Sequence, residues 1–302
     1  MSEGGQDVGQ DAGQDAGRDA GRDAASFCAD LVRSHDFGRY ASTLFVRPEE
    51  RRALLALYAF NVEIFRVRDQ VSQPLPGEVR MQWWTDLLAG AGHGGVEGNP
   101  VAAELMLAIR TFGLPVEPLS RLIDEHQFDL YNDPMPTLAA LEGYVYETSS
   151  ALFALAARIA APPSAEIEHL ARHAGLASGF VQVIASLPRD TARRQLFVPL
   201  QLLESHGSSM HAVFAGRQTP QIRAALDQLL DGARQHLQAA LGLLAEVPAR
   251  VRPLFLPLAL VRRDLQQMAR ADADPFAPRN PSRLSTLWTL WRASRSRQFK
   301  GE

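Results

Sequence analysis

The stretch RRALLALYAFNVEIFRVRDQVSQ, residues 51–73, predicts a long buried helix that carries charged side chains into the protein interior. Its apolar residues follow the three- and four-residue spacing of an α-helix, and neither Gly nor Pro interrupts them. Pro48, followed by two glutamates, suits the first turn of this helix, and Pro74 marks its end. Charged groups on a buried helix are typical of a functional site.

Similar helical patterns recur along the rest of the chain. The further helices that we predict cover residues 25–35, 76–91, 100–112, 116–131, 137–160, 165–187, 221–247 and 248–270. No segment shows the period-two alternation of a β-strand, so the predicted fold class is all-α, a single helical bundle.

Composition limits the function classes that fit this chain. Its 302 residues are 46% hydrophobic, enough for one large core, and a net charge of −3 argues against a nucleic-acid-binding protein. Cys28 is the single cysteine and cannot form an internal disulfide, which favours a reducing compartment. Neither a secretory signal nor a transit peptide is evident. We therefore expect a cytoplasmic protein.

The chain begins with a repetitive acidic segment. Residues 9–24 read GQDAGQDAGRDAGRDA, a four-residue repeat without the apolar periodicity needed to bury enough surface on folding. We predict a disordered tail over residues 1–24, one helical domain over 25–295 and a second disordered tail over 296–302.

Two motifs carry a resemblance to a known family. ALYAF (residues 56–60), followed nine residues later by Asp69, resembles the first aspartate-rich helix of the squalene/phytoene synthase family, whose enzymes join two isoprenyl diphosphates head to head. GLASGFVQVIASLPRDTARRQLFVPL (residues 175–200) resembles the second aspartate-rich helix and the arginine-rich turn after it. The resemblance implies an isoprenoid-synthase-type bundle around a central cavity.

Both motifs have lost most of their acids. The family places carboxylates four residues apart to hold Mg²⁺ against a diphosphate, whereas residues 65–69 read FRVRD and residues 186–190 read SLPRD. Only Asp69 and Asp190 remain, and Pro188 disrupts the helical turn that would present a second acid. With AFNVEIFRVRDQVSQP (59–74), RMQWW (80–84) and ETSSAL (147–152), the chain resembles the family branch that includes the mitochondrial respiratory complex I assembly factor.

The charge changes have a consequence that does not depend on the family. Mg²⁺ prefers several oxygen ligands, and two isolated aspartates are too few for a site that binds two diphosphates. Arg66, Arg68 and Arg189 stand beside these acids and would repel a divalent cation. Two alternatives follow: the arginines pair with the aspartates and close the cavity, or they bind a phosphate directly without metal.

The resemblance implies a set of cavity-lining residues but no catalytic residue. No metal ligand is assigned beyond the residual positions Asp69 and Asp190, no cofactor is expected, and Mg²⁺ would be needed only by an enzyme. The candidate lining residues are Tyr58, Phe65, Arg66, Asp69, Arg80, Tyr144, Gln182, Ser186, Arg189, Asp190, Arg193 and Arg194.

Two histidine clusters could imitate metal or acid–base sites. His126 lies near Asp124, Glu125 and Asp129, but consecutive acids point to different sides of a helix, so we predict a solvated helix face. His169 and His173 have the four-residue spacing of a ligand pair, yet no third ligand is evident, and we predict that both lie on the surface.

Three functions are compatible with these features of the sequence. The first is a partner-binding or assembly factor for a respiratory complex, acting on a subunit or an assembly intermediate. The second is a prenyl diphosphate-condensing enzyme, and the third is a carrier of a prenyl lipid. The basic region after residue 249, with Trp288 and Trp291, is either a peripheral contact with the inner membrane or the solvated end of the bundle.

Overall fold

The computed structural model describes residues 8–91, 98–279 and 281–300. These residues form helices and turns without a β-strand, which confirms the predicted all-α fold. The α-helices are α1 (Val8–His35), α2 (Phe37–Ser42), α3 (Pro48–Gln70), α4 (Pro74–Leu88), α5 (Pro100–Phe112), α6 (Val116–His126), α7 (Leu138–Val145), α8 (Ala151–Ala160), α9 (Ala165–Ala185), α10 (Leu187–Ala192), α11 (Leu200–Ser205), α12 (Met210–Phe214), α13 (Pro220–Leu243), α14 (Pro257–Met268) and α15 (Arg283–Ser294).

Helix α3 lies at the centre of the bundle. Leu54, Leu57, Phe60 and Ile64 on this helix are completely buried, as the apolar spacing of the sequence predicts. Helices α1, α4, α5 and α8 pack around it. Helix α8 also packs on α9, and α9 lies along α13, so α8 joins the two halves of one continuous core.

Several predicted helices are shorter in the structure, because a 3₁₀ segment or a proline interrupts them. The predicted helix 116–131 becomes a 3₁₀ turn, Gln127–Leu130, after His126. The predicted helix 248–270 begins with a 3₁₀ segment, Ala249–Phe255, because Pro253 and Pro257 each remove a backbone donor. Helix α9 ends at Ala185 and a new helix begins at Leu187, since Pro188 fits only a first helical turn.

The two predicted tails differ from the structure where it describes them. Helix α1 begins at Val8, so part of the repeat is helical, because its four-residue period is close to a helical turn and contains no Pro. Residues 1–7 lie outside the described residues. At the other end of the chain, Phe299 is 2% exposed, and the Gln298 side chain donates to the carbonyl of Leu241. These two contacts hold residues 296–299 against the bundle.

None of the helices in the described part of the chain is long and apolar enough to cross a bilayer. The glycine-rich connection between α4 and α5 falls largely on residues 92–97, outside the described ranges.

A π-helical turn, Tyr146–Ser150, interrupts the predicted helix 137–160 between α7 and α8. Two glycines of α9 allow it to lie against this region. A Cβ at Gly175 would stand 2.3 Å from the Ser150 backbone nitrogen, and one at Gly179 would stand 2.3 Å from Val145. Ser150 also donates its hydroxyl to the carbonyl of Arg172 at 3.0 Å. The π turn is therefore fixed by backbone contact with α9.

Three histidines meet where α9 lies along α13. His173 Nδ1 is 2.8 Å from His236 Nδ1, and His173 Nε2 is 3.3 Å from His169 Nε2. His169 is exposed as predicted, but His173 is half-buried because α13 covers one side of it. Burial, with smaller effects from the neighbouring His236, His169 and Arg172, lowers the pKa of His173, and burial followed by Arg172 lowers that of His236.

The first prediction concerns the close approach of α9 to the π turn. Gly175→Ala should lower the free energy of unfolding by about 1–3 kcal/mol, because the new methyl group meets backbone atoms that cannot move separately. The matched control is Gly143→Ala on α7, where a Cβ would meet nothing within 4 Å. This substitution should stabilise the helix by up to about 1 kcal/mol. Urea denaturation of the two variants measures both values. Equal effects would contradict the packing described.

The second prediction concerns the histidines between α9 and α13. Because the pKa values of His173 and His236 are lowered in the folded state, their stabilising effect is complete above the ordinary value of 6.5 and is lost as the pH falls below it. The free energy of unfolding of the His236→Gln variant should therefore fall less than that of the wild type when the pH is lowered from about 7.5 to about 5.5. The exposed His211→Gln should behave like the wild type in the same urea titrations.

Candidate functional site

The C-terminal half of α3 faces α6, α10 and the turn that follows α10. Phe65 lies at the centre of this region. The guanidinium carbon of Arg189 stands 4.9 Å from the centre of its ring, within the range of a cation–π contact. The imidazole of His126 meets the same ring edge to face, with 6.1 Å between ring centres. Phe65 therefore contacts both Arg189, the neighbour of Asp190, and His126 on α6.

The break between α9 and α10 positions Asp190. After Ser186, which donates its hydroxyl to the carbonyl of Gln182 at 2.7 Å, the chain turns and buries the Asp190 side chain. Arg189 Nε donates to Asp190 Oδ1 at 3.0 Å. Burial raises the pKa of Asp190, while the Arg189 guanidinium opposes that change. This carboxylate is thus turned toward an arginine.

The second residual acid, Asp69, is paired with Arg193 across 124 positions of sequence. The sequence suggested Arg66 or Arg68 as the neighbours of Asp69, and that expectation is wrong in detail. Arg68 donates to the side-chain oxygen of Asn132 at 3.3 Å. Residue 68 leaves the helix in a different direction from residue 69, because adjacent residues on a helix point to different sides. Arg66, three positions before Asp69, lies on the same face, but Asp69 pairs with Arg193 instead.

A buried polar cluster lies on the other side of Phe65. His126 Nδ1 is 2.7 Å from Asp129 Oδ2, and the Tyr144 hydroxyl donates to Asp129 Oδ1 at 2.9 Å. Gln195, also buried, donates to the backbone carbonyl of Asp129 at 3.0 Å. The prediction of a solvated face around His126 is wrong for His126 and Asp129, which are 4% and 5% exposed. The 3₁₀ turn after α6 brings Asp129 back beneath the imidazole.

The electrostatics of this cluster favour a neutral Tyr144. Burial of the hydroxyl, followed by the negative charge of Asp129 and then of Asp190, raises its pKa well above the ordinary value. Tyr144 consequently donates a hydrogen bond and does not act as a phenolate at neutral pH. The rings of Phe128 and Phe197 pack on Tyr144, with ring centres 6.3 and 5.6 Å away. Aromatic side chains therefore surround Tyr144, whose hydroxyl donates to Asp129.

Not all of the predicted lining residues meet in this region. Tyr58 lies eleven residues before Asp69, roughly 16 Å along the helix, and packs under the guanidinium of Arg39. Arg80 donates to the side chain of Gln70 on the surface. Arg194 adopts a positive φ of 56° and turns toward the ring of Phe214. The members that meet are Phe65, Asp69, Tyr144, Ser186, Arg189, Asp190 and Arg193, while Tyr58, Arg80, Arg194 and the exposed side chain of Gln182 lie apart. The remaining member, Arg66, lies on α3, but the ion pairs of Asp69 and Asp190 are made with other arginines.

The donor set of the site does not fit the magnesium cluster that the resemblance implies. Mg²⁺ bound against diphosphates needs several free carboxylate oxygens close together. Asp69 and Asp190 each accept from an arginine, and Asp129 accepts from Tyr144 and contacts His126. Within the ranges that the structure describes, no group of three or more His, Cys, Asp or Glu residues is arranged to hold a metal ion.

Comparison with known proteins places the chain among relatives of two kinds. The sequence pattern of squalene/phytoene synthase matches residues 32–292. The Rattus norvegicus protein named NADH dehydrogenase (ubiquinone) complex I, assembly factor 6 is 31% identical over 252 residues, which are 83% of this chain and 76% of that protein. Presqualene diphosphate synthase of Rhodopseudomonas palustris is 26% identical over 257 residues, 83% of this chain and 90% of that enzyme.

The fold has a counterpart among solved structures. A squalene synthase from Alicyclobacillus acidocaldarius superimposes with a TM-score of 0.72 at 23% identity, covering 86% of this chain and 97% of that one. This likeness concerns the arrangement of helices.

The third prediction tests the buried cluster. Tyr144→Phe should lower the free energy of unfolding by about 1–3 kcal/mol, because it leaves a buried acceptor, Asp129, without one of its donors. Tyr131→Phe is the matched control, since its hydroxyl meets Glu78 on the exposed surface and should change stability by no more than about 0.5 kcal/mol. Urea denaturation near neutral pH measures both. Equal small losses would show that the cluster adds little to the fold.

Proposed function

The chain belongs to the squalene/phytoene synthase family, and from that premise we propose that it is an assembly factor for a respiratory NADH dehydrogenase of the complex I type. In this proposal it binds a subunit or an assembly intermediate and does not condense prenyl diphosphates. Its place of action is the membrane surface at which such a complex is built.

The observation that carries the proposal is the pairing of both residual aspartates with arginines. Ionising an allylic diphosphate requires cations that neutralise the leaving group, and a metal cluster held by carboxylates usually provides them. Here Asp69 pairs with Arg193 and Asp190 pairs with Arg189, so a guanidinium group offsets the charge of each residual acid. A site of this kind offers Mg²⁺ neither free ligands nor negative potential.

The relatives support the same choice. The protein that is 31% identical over 83% of this chain is named a complex I assembly factor, whereas the presqualene diphosphate synthase reaches 26%. Because both residual acids pair with arginines, the candidate binding surfaces of this proposal lie on the outside of the bundle, where exposed apolar patches commonly mark contacts with partners.

The fourth prediction separates the assembly factor from an enzyme through Asp69. Its side chain is about one third exposed, so loss of its ion pair should cost at most about 1 kcal/mol. An Asp69→Asn variant should therefore restore NADH dehydrogenase assembly in a deletion strain as well as the wild type does. Assembly is measured by native gel and by NADH oxidation in membranes. Asp133→Asn, at another exposed acid, is the control.

The purified wild-type protein, incubated with farnesyl diphosphate and Mg²⁺, should release diphosphate no faster than the background. Turnover of about 1 s⁻¹ or more would be that of an ordinary enzyme. Such turnover, if abolished by Asp69→Asn, would establish the prenyl transferase instead. So would a deletion strain that lacks squalene or carotenoids while its NADH dehydrogenase is intact. Co-purification of an extractable prenyl lipid without turnover would identify a carrier.

A further inference from the structure

Helix α15 has apolar side chains on two opposite faces. Its inner face buries the apolar Leu290 and Ala293 against the bundle, together with the polar Thr286. Its outer face carries Leu284, Trp288 and Trp291, at helical spacings of four and three residues. These are 79%, 62% and 41% exposed, and among the described residues no other large apolar side chain is as exposed as Leu284. A surface helix normally presents polar residues on such a face.

The two tryptophans form a rigid aromatic surface. Their rings are stacked, with 4.9 Å between centres, and the guanidinium carbon of Arg295 lies 4.7 Å from the centre of the Trp291 ring. Tryptophan combines a large apolar surface with a polar N–H group, and in proteins it prefers the boundary between water and lipid. Exposed, stacked tryptophans bordered by arginines are therefore suited to an interface between water and an apolar phase.

A basic groove runs beside this surface, between α14 and α15. It encloses about 520 Å³ and is lined by three arginines without an acid; the lining residues that matter here are Arg262, Arg263, Trp288 and Arg292. Arg263 is held in place, since it donates to Asp264 at 2.9 Å and to the Thr286 hydroxyl at 3.4 Å. Arg262 and Arg292 are exposed, and no carboxylate of the described residues lies within ion-pair distance of either. Two guanidinium groups are thus available to an anion.

The charge of the region is consistent with an anionic partner. Residues 250–302 carry eleven basic and four acidic residues, although the whole chain has a net charge of −3. Arginine binds phosphate through paired N–H donors more specifically than lysine does. Basic side chains next to tryptophan and leucine are the combination found on helices that lie in the plane of a membrane.

We infer that the outer face of α15, with the groove beside α14, is a docking surface for an anionic phospholipid membrane. Trp288, Trp291 and Leu284 enter the interfacial layer, and Arg262 and Arg292 bind lipid phosphates at the mouth of the groove. This inference rests on the membrane location in the proposed function but not on the assembly activity itself. A protein that failed to assemble any complex could still bind vesicles through this surface.

The test is flotation of the full chain with vesicles of phosphatidylcholine alone or with about 30% phosphatidylglycerol. Binding should require the anionic lipid and weaken as salt increases, because ions screen exposed charges. Arg262→Gln with Arg292→Gln should lower the partition coefficient about tenfold or more. The matched control, Arg110→Gln with Arg217→Gln, removes two exposed arginines elsewhere and should leave the binding unchanged.

The apolar contribution has its own pair of variants. Trp288→Ser with Trp291→Ser should reduce binding at high salt as well as at low salt. Leu75→Ser with Val79→Ser, which removes exposed apolar side chains from α4, should not change it. Circular dichroism checks that each variant remains folded, as expected for exposed positions.

Several results would overturn the inference. Equal binding to neutral vesicles, or equal loss in the control variants, would rule out a specific anionic surface. Binding of soluble glycerol phosphate without binding to vesicles would indicate a small-molecule site. Dimerisation of the wild type in sedimentation, abolished by the tryptophan substitutions, would show that this face contacts a second copy.

Discussion

The ion pairs Arg193–Asp69 and Arg189–Asp190 determine whether the two residual motifs can hold a metal ion. A carboxylate that accepts from a guanidinium has fewer oxygens free for a metal, and the positive charge beside it repels a divalent cation. The two pairs differ in importance for the fold. Asp190 is buried, and an unpaired charge there would be costly, whereas Asp69 and Arg193 are each about one third exposed. Asp190 is therefore needed by the fold, and Asp69 is the acid that can be changed without unfolding it.

Most of the fold could be predicted because its signals are local. Helix α5 begins and ends at the predicted residues, since Asn99 caps its first turn, Pro100 follows and Gly113 ends it in a left-handed conformation. Pro188 likewise predicted a break in the helix, and it lies in the first turn of α10. The π turn could not be predicted, because it depends on the contact of Ser150 with Gly175 on a different helix.

The site could be predicted only in part. The motifs located Phe65, Asp69 and Asp190, but the partner of Asp69 is 124 residues away and depends on how α10 approaches α3. His126 was missed for another reason. Its acidic neighbours suggested solvent, yet it follows Leu119, Leu122 and Ile123 at spacings of three and four, which places it on the buried stripe of α6. Apolar spacing was the better guide, because a buried histidine needs only one nearby carboxylate to satisfy it.

The arginine-paired aspartates and the apolar outer face of α15 bear on the same question of function. In the bundle, aromatic rings pack on the buried Tyr144, whereas the stacked tryptophans lie exposed on the outer face of α15. Exposed apolar side chains at one end of a protein, together with a local charge opposite in sign to that of the rest of the chain, orient the protein at an anionic membrane surface. Under the proposed function, the specificity of this chain comes from contacts that its surface makes outside the bundle.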